Sequence, residues 1–502
     1  MEAPARVKAA GRRLMYLGID IGTSAVKAVV IDDAGDVAAE EAVSLSVSRP
    51  HRFWSEQNPA DWWAATNEAV TRIDSKVRRH VRAVGLAGQM HGAVVLDGAG
   101  QPLRPAILWN DGRAAEFCAE LEAREPNSRA ISGNIAMAGF TAPKLRWIAD
   151  REPEVFRAIQ HVLLPKDYIR LRMSGDLATD TSDASGTLWL DVGARRWSES
   201  LLDACGLTLD QMPRLAEGPE PTGVLRAELA EAWGMGRVPV AAGAGDNAAG
   251  AAGVGVTRPG DALMSLGTSG VIFAVTNGFR PNTEGAVHAF CHCFPDVWHQ
   301  MSVMLSAGAS LEWVRLLTGR HSVTDMLAAL ELAGERPVDE IFLPYLSGER
   351  TPHNNPHAQG VFFGLTSETD RDTLVLAVLE GVAMALRDGL DRLEDAGTHL
   401  EAISVIGGGA RSPLWGAILA GALRLPLIYR EGGEVGPSYG AARLARAALG
   451  EGSHEQIFKP PAITRVIEPS RAYQDHFAER IPKFRKIYAS VAEQFETRSS
   501  HD

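Results

Sequence analysis

Apolar residues alternate with polar or small ones through three short runs near the start of the chain, "MYLGID", "AVKAVVID" and "VAAEEAVSLSVS", separated by "IGTS" and "DAGD". Alternation at period two between turn residues predicts a β-meander. The period then changes. "NPADWWAATNEAVTRI" repeats its apolar positions at helical spacing, with Asn58 as N-cap and Pro59 at the first helical position. "VRAVGLAGQ" returns as a strand ending at Gly88. Three strands, a helix and a strand predict an α/β layered domain rather than a bundle or a sandwich.

The pattern restarts near the middle. "GRVPVAAGAGDNAAGAAGVGVTRPGDALMSLGTSGVIFAV" reads as a buried strand, a glycine-rich turn, a small-residue helix and a second hairpin. "SAGASLEWVRLLTG", "RDTLVLAVLEGVAMALRDGLDRLEDAG" and "PSYGAARLARAALG" then carry helical periodicity, and "ISVIGGGA" predicts a strand with a tight turn. The opening "IDIGTSAVKAVV" thus has an echo, "MSLGTSGVIFAV", about half a chain later. Two α/β halves that each start on a G-T-S hairpin suggest a duplication. The boundary is expected in "GVTRPGD", giving an N-terminal domain over 15–256 and a C-terminal domain over 257–502, with 1–14 as a disordered extension.

Size and composition sharpen this picture. A chain of 502 residues exceeds what one core supports, and 45% hydrophobic with 22% charged residues has globular proportions. The net charge of −12 opposes general association with nucleic acid or an anionic membrane. No apolar run of membrane-spanning length occurs, and the basic first residues lack a secretory h-region. Small-molecule partners and a cytoplasmic location are expected. Four cysteines are too few for a disulfide framework. "HAFCHCFPDVWH" offers Cys291, His292, Cys293 and His299 as metal ligands, yet its alternation suits a strand better.

The G-T-S turns carry the candidate chemistry. Glycine followed by two hydroxyl residues exposes backbone N–H groups and supplies O–H donors for phosphate oxygens. A single such turn is an ordinary hairpin; two, each behind an apolar strand, read as facing walls of one cleft holding a polyphosphate. Asp20 stands two residues before Gly22, and a carboxylate beside phosphates implies a cation, which points to Mg²⁺. Lys27 either neutralises a terminal phosphate or is a solvated strand residue. "GAGDNAAG" fits G-x-G-x-x-A, but the acidic residue that would hold a ribose is missing and Asp246 occupies the turn. Asp246 suits a general base for a hydroxyl attacking a γ-phosphate, or a helix N-cap. No P-loop, G-x-S-x-G or H-E-x-x-H sequence occurs.

Asp20-Ile21-Gly22-Thr23-Ser24, Gly245-Asp246-Asn247, Leu266-Gly267-Thr268-Ser269 and Gly407-Gly408-Gly409-Ala410-Arg411 together resemble the FGGY carbohydrate kinases. The resemblance runs through nearly the whole chain. It implies two ribonuclease-H-like, actin-like ATPase domains flanking a deep catalytic cleft, with ATP between the hairpins, a sugar against the N-terminal domain, and a homodimer. "GLAGQMHGAVVLD", "LRPAILWNDGR", "GFTAPKL", "LLPKDYIRLRMSG" and "LPYLSGERTPHNNP" are similar to the branch that phosphorylates D-xylulose to its 5-phosphate. The resemblance carries Met90 and His91 over as sugar residues, with Trp109 and Asn247 beside them. It gives Asp246 as base and Asp20 as the Mg²⁺-associated carboxylate, the metal lying near both. Gly22, Thr23 and Lys27 on one wall, and Thr268, Gly308, Gly408, Gly409 and Arg411 on the other, are implied for ATP. Lys27 stands where glycerol kinases carry arginine, and those enzymes lack "QMHG". Met90 and Trp109 would face sugar carbons, or pack in the core, and His91 would hydrogen-bond hydroxyls. Kinases for ribulose, gluconate or glycerol, and a non-catalytic actin-like protein, are the alternatives.

Overall fold

The computed structural model describes residues 14–333, 338–407, 412–431 and 436–495. The predicted meander is β1 (Met15–Ile21), β2 (Ala25–Asp32) and β3 (Val37–Ser44), antiparallel throughout. Helix α1 (Pro59–Arg72) starts as expected: the Asn58 side chain accepts from the Ala60 N–H and Pro59 occupies the first turn. β4 (Val81–Gly88) returns parallel to β1. β5 (Pro221–Val224), β6 (Pro239–Ala241) and the short β7 (Ala244–Gly245) complete a seven-stranded sheet in the order β5-β6-β4-β1-β2-β3, with β7 also on β4. The chain between β4 and β5 forms short helices and two-stranded ribbons.

Helix α2 (Asp246–Gly253) leads into the second sheet. Its strands are β8 (Ala262–Leu266), β9 (Gly270–Thr276), β10 (His288–Cys291), β11 (Trp298–Met304), β12 (Ile403–Ile406), β13 (Leu427–Arg430) and β14 (Ile463–Ile467). They run in the order β10-β11-β9-β8-β12-β13-β14. The arrangement β11-β9-β8-β12-β13 repeats β3-β2-β1-β4-β6, including the antiparallel meander and the parallel pairing of its first strand with its fourth. The sequence echo is therefore a topological one. Helices α3 (Gly308–Leu317), α4 (Arg371–Asp395) and α5 (Pro413–Leu423) cover the second sheet, and its core joins Met264, Ile272, Leu379, Val382 and Trp415.

A helix of the second half crosses to the first sheet. α6 (Gly436–Ala447) lies against β1 and β4 and alongside α2. A Cβ built on Gly18 would lie 1.9 Å from the Ser438 carbonyl oxygen, one on Gly85 1.9 Å from that of Ala441, and one on Gly440 1.8 Å from that of Ala249. Only glycine permits backbone to meet backbone at these points. The seam therefore fixes α2, and with it Asp246, against the sheet that carries Asp20. A last helix, α7 (Arg471–Phe495), packs on α4 and α5.

Cys291 and Cys293 fall on and just after β10, each thiol facing a backbone carbonyl (Val192 at 3.5 Å, Ala248 at 3.9 Å), while His299 stacks on Phe273 at 4.1 Å between ring centroids. These groups are packing elements. Among the described residues no cluster of three or more His, Cys, Asp or Glu is placed to hold a metal, and no helix is long and apolar enough to cross a membrane.

Candidate active site

Strand register assembles the site. Asp20 of β1 stands opposite Ala87 of β4, and Ala244 of β7 stands opposite Ala87 on its other side. All three strands run parallel, so Asp20, the Gln89-Met90-His91 run and Asp246 emerge at one edge of the sheet, where open α/β sheets bind ligands. The two carboxylates are partly buried and share a field. Burial, then the charge of Asp246, push Asp20 up to about 7 against the opposing pull of Lys27. Burial pushes Asp246 up to about 6 against its bonds to Asn247.

Asp246 is the first residue of α2; Gly245 takes the N-cap position, which corrects the capping alternative. Asn247 donates both its backbone N–H (2.7 Å) and its Nδ2 (2.9 Å) to Asp246 Oδ1. Oδ2 has no hydrogen-bond partner among the described residues. Asn247, expected against the sugar, is thus turned toward the base. The Gly245 N–H donates to Ser182 Oγ at 3.2 Å, and Ser182 in turn donates to the buried Asp180, which pairs with Lys166 at 2.8 Å. Sequence reasoning missed this brace, because its members carry no motif and meet only through the fold.

Asp20 Oδ1 is buried without a hydrogen-bond partner. An orphaned carboxylate oxygen facing a second carboxylate fits a divalent cation, which would satisfy it and relieve the repulsion. The raised value has a stability sign. Between its unfolded value near 3.8 and its folded value near 7 the native state holds the extra proton, so the Asp20 charge destabilises the fold increasingly as pH rises through that window. Asp20→Asn is therefore expected to raise metal-free unfolding stability at pH 8, on the order of 2 kcal/mol, and to change it little below pH 4. Denaturant titration at both pH values checks this.

The first hairpin turn is held by a polar network. Thr23 Oγ1 donates to Gln89 Oε1 (2.9 Å) and accepts from Trp109 Nε1 (3.0 Å), while Gln57 Nε2 donates to the Thr23 carbonyl (2.8 Å). Gln89 Nε2 and Trp62 Nε1 both donate to Gln57 Oε1, at 3.1 and 3.0 Å. Gln89 and Gln57 were not anticipated as site residues, although Gln89 opens the "QMHG" stretch. Trp109 is 39% exposed, so it belongs to the site surface and not to the core. Gly22 closes the turn by donating to the Ala25 carbonyl at 3.0 Å. Lys27 pairs with Glu40 at 2.5 Å across the meander, both side chains remaining part-exposed.

His91 has φ +68, the left-handed region that a non-glycine residue adopts under constraint. Its carbonyl accepts from Lys144 Nζ (2.8 Å) and Thr141 Oγ1 (3.2 Å). Its Nδ1 lies 2.7 Å from the Gly186 carbonyl oxygen, so Nδ1 carries the proton and Nε2 is an acceptor. Burial holds the ring down to about 3, neutral at working pH. Met90 is 5% exposed and supports Gly245 from below: a Cβ there would lie 3.0 Å from Met90 Cγ. It packs the turn that carries the base.

On the other wall, the second hairpin docks on the start of α3. The Thr268 carbonyl accepts from the Ala307 and Ala309 N–H groups (3.0 and 3.1 Å), and that of Gly267 from Gly308 (2.9 Å). A Cβ on Gly308 would sit 2.4 Å from the Gly267 oxygen, so this glycine permits the docking. Thr268 and Gly308 line a cleft of about 910 Å³ that continues past Trp313, Leu327, Glu331 and Ser412. Glu331 accepts from Ser412 Oγ at 2.8 Å. The remaining expected nucleotide residues, Gly408, Gly409 and Arg411, lie outside the described residues.

Two hairpin turns, a paired-carboxylate edge and an adjoining cleft are the parts of a phosphotransferase. The sequence matches the FGGY family of carbohydrate kinases, N-terminal domain, over residues 15–253 and C-terminal domain over residues 262–449. The chain belongs to the FGGY carbohydrate kinases. A xylulose kinase of Escherichia coli (strain K12) is 53% identical over 479 residues, 95% of this chain and 99% of that protein. One of Bacillus subtilis is 36% identical over 94% of this chain and 95% of its own. The crystal structure of a xyloylose kinase from Brucella ovis superposes with a TM-score of 0.93 at 47% identity, covering 96% of this chain and all of that one. As an FGGY kinase the protein transfers phosphate from ATP to a sugar, which excludes the non-catalytic alternative.

Proposed function

We propose that this FGGY kinase phosphorylates D-xylulose at its 5-hydroxyl with ATP, giving D-xylulose 5-phosphate and ADP. The observation that carries the mechanism is Asp246, whose Oδ1 is fixed by Asn247 and whose Oδ2 is left free. The substrate follows from the likeness to xylulose kinases along almost the full chain.

Asp246 Oδ2 accepts the proton as the sugar hydroxyl attacks the γ-phosphate; a carboxylate held near 6 is basic enough to take it and ionised enough to be ready at neutral pH. The Ser182–Asp180 brace and the Gly440 contact keep α2 from shifting, so the base stays on line. His91 Nε2 accepts from a sugar hydroxyl and helps orient the chain. Thr23 and Thr268 present their turns to the phosphates from the two walls, and Lys27, paired with Glu40, shapes the field around Asp20. Asp20, with Asp246 beside it, would hold Mg²⁺. A bound Mg²⁺ would supply neutralisation of phosphate charge. The two sheets act as the two jaws, α6 moving with the first sheet to which its glycine contacts lock it, and they close over the sugar to exclude water as a rival nucleophile.

ADP release measured with Mg-ATP against D-xylulose, D-ribulose, gluconate and glycerol tests the substrate. D-Xylulose is expected to give the highest kcat/KM by at least tenfold; comparable or higher turnover on another acceptor overturns the substrate and keeps the family chemistry.

A further inference from the structure

We infer that Arg350, delivered by the C-terminal half, is a sugar-specificity residue whose guanidinium grips the C1-hydroxyl and C2-carbonyl end of the ketose, opposite the reacting hydroxyl. The inference rests on the substrate reading above.

Arg350 follows β11 in space. Thr351, its neighbour, donates its N–H to the Val303 carbonyl (3.1 Å) and accepts the Val303 N–H on Oγ1 (3.1 Å), while Glu349 Oε1 accepts from the Leu305 N–H (3.0 Å). The loop is thus clamped to the second sheet. Its guanidinium, however, points at the first half. A Cβ built on Gly139 would be 3.6 Å from Arg350 Nη2 and 2.5 Å from the Trp109 carbonyl oxygen. The Gly139 carbonyl and the His91 carbonyl are both held by Lys144 Nζ, at 2.7 and 2.8 Å. Arg350 therefore abuts the wall formed by His91, Trp109 and Gly139, residues of the sugar side.

No hydrogen bond, ion pair or ring contact is made by this guanidinium among the described residues. None of the nearby acids bonds it, although Glu349 Oε2 has no hydrogen-bond partner among the described residues. Glu349 gives Oε1 to the Leu305 and Arg350 N–H groups, and Asp111 forms a paired bridge with Arg113 at 2.9 and 2.7 Å. Burial loosens the hold of Arg350 on its proton against the opposing pull of Glu349, and the Arg350 charge in turn depresses His91, Lys144 and His288. A half-buried cation with no acceptor, set beside a second amine, is costly, and such groups persist where a ligand supplies the acceptors. The guanidinium lies on the wall that carries His91, the residue read above as holding a sugar hydroxyl, and so addresses the sugar. There a 2-ketose presents two adjacent oxygens, which a planar fork of N–H donors matches and a single ammonium does not.

Steady-state kinetics of Arg350→Ala and Arg350→Lys, each with D-xylulose and with 1-deoxy-D-xylulose, test the assignment. The wild type on the acceptor panel decides the substrate independently. With D-xylulose as substrate, Arg350→Ala is expected to raise its KM at least tenfold, to leave the KM for ATP within twofold, and to erase most of the preference over the 1-deoxy sugar. Arg350→Lys keeps the charge and loses the fork, so an intermediate KM is expected. An unchanged sugar KM, an equal loss on both sugars, or a change confined to melting temperature overturns the inference. If the alanine variant fails to fold, the lysine variant's ratio between the two sugars decides alone.

Discussion

Asp246→Asn is expected to lower kcat by roughly 10²–10⁴-fold while D-xylulose binding, followed by tryptophan fluorescence, stays within about threefold of wild type. The asparagine keeps the size of the side chain and can still accept from Asn247, whose N–H and Nδ2 both point at Oδ1. What it loses is the oxygen that takes the proton. The two carboxylates also set the pH profile. Asp246 sits near 6 and Asp20 near 7, so in the free enzyme activity is expected to rise with pH through 6–7 and to fall away below as the carboxylates protonate. A kcat/KM profile between pH 5 and 9 checks the direction; equal kcat for the variant and wild type removes Asp246 from the chemistry.

The largest expected effect on stability lies away from the cleft, at Gly85. A methyl group there would stand 1.9 Å from the Ala441 carbonyl oxygen and 2.8 Å from its carbon, both backbone atoms of α6 that cannot rotate aside. Gly85→Ala must therefore push α6 off β4. Since α6 also meets α2 at Gly440 and β1 at Gly18, the shift spreads to the helix that carries Asp246. A loss of more than about 4 kcal/mol is expected by denaturant unfolding, a value at the severe end for single substitutions. Gly250→Ala serves as the control. Nothing lies within 4 Å of its built Cβ, and it falls inside α2, where alanine is the better helix former. Its stability is expected to hold or to rise by about 0.5–1 kcal/mol.

The sequence made the local elements legible wherever one period dominated. The meander from Met15, the helix capped by Asn58 and the two G-T-S hairpins follow from alternation, capping chemistry and turn residues, all short-range effects. Asp20, two residues before Gly22, and Asp246, next to Gly245, could be picked out beside their glycine turns, and His91 through the likeness of the "QMHG" stretch. The tertiary consequences were not. Nothing local says that Met90 packs under Gly245, or that Asn247 turns toward Asp246. Trp109 could be placed on the surface only once its ring nitrogen was seen to reach Thr23, 86 positions away in the chain. The network of Gln57 and Gln89, and the approach of Arg350 to Gly139, join residues that share no spacing. A side chain whose role is set by a partner far along the chain leaves no periodic signature.

The most direct test of the central claim is phosphorus NMR of the product formed from ATP and D-xylulose. One phosphomonoester is expected, coupled to the two C5 methylene protons and growing mole for mole with ADP. Release of inorganic phosphate in its place, or an ester on any other carbon, contradicts it.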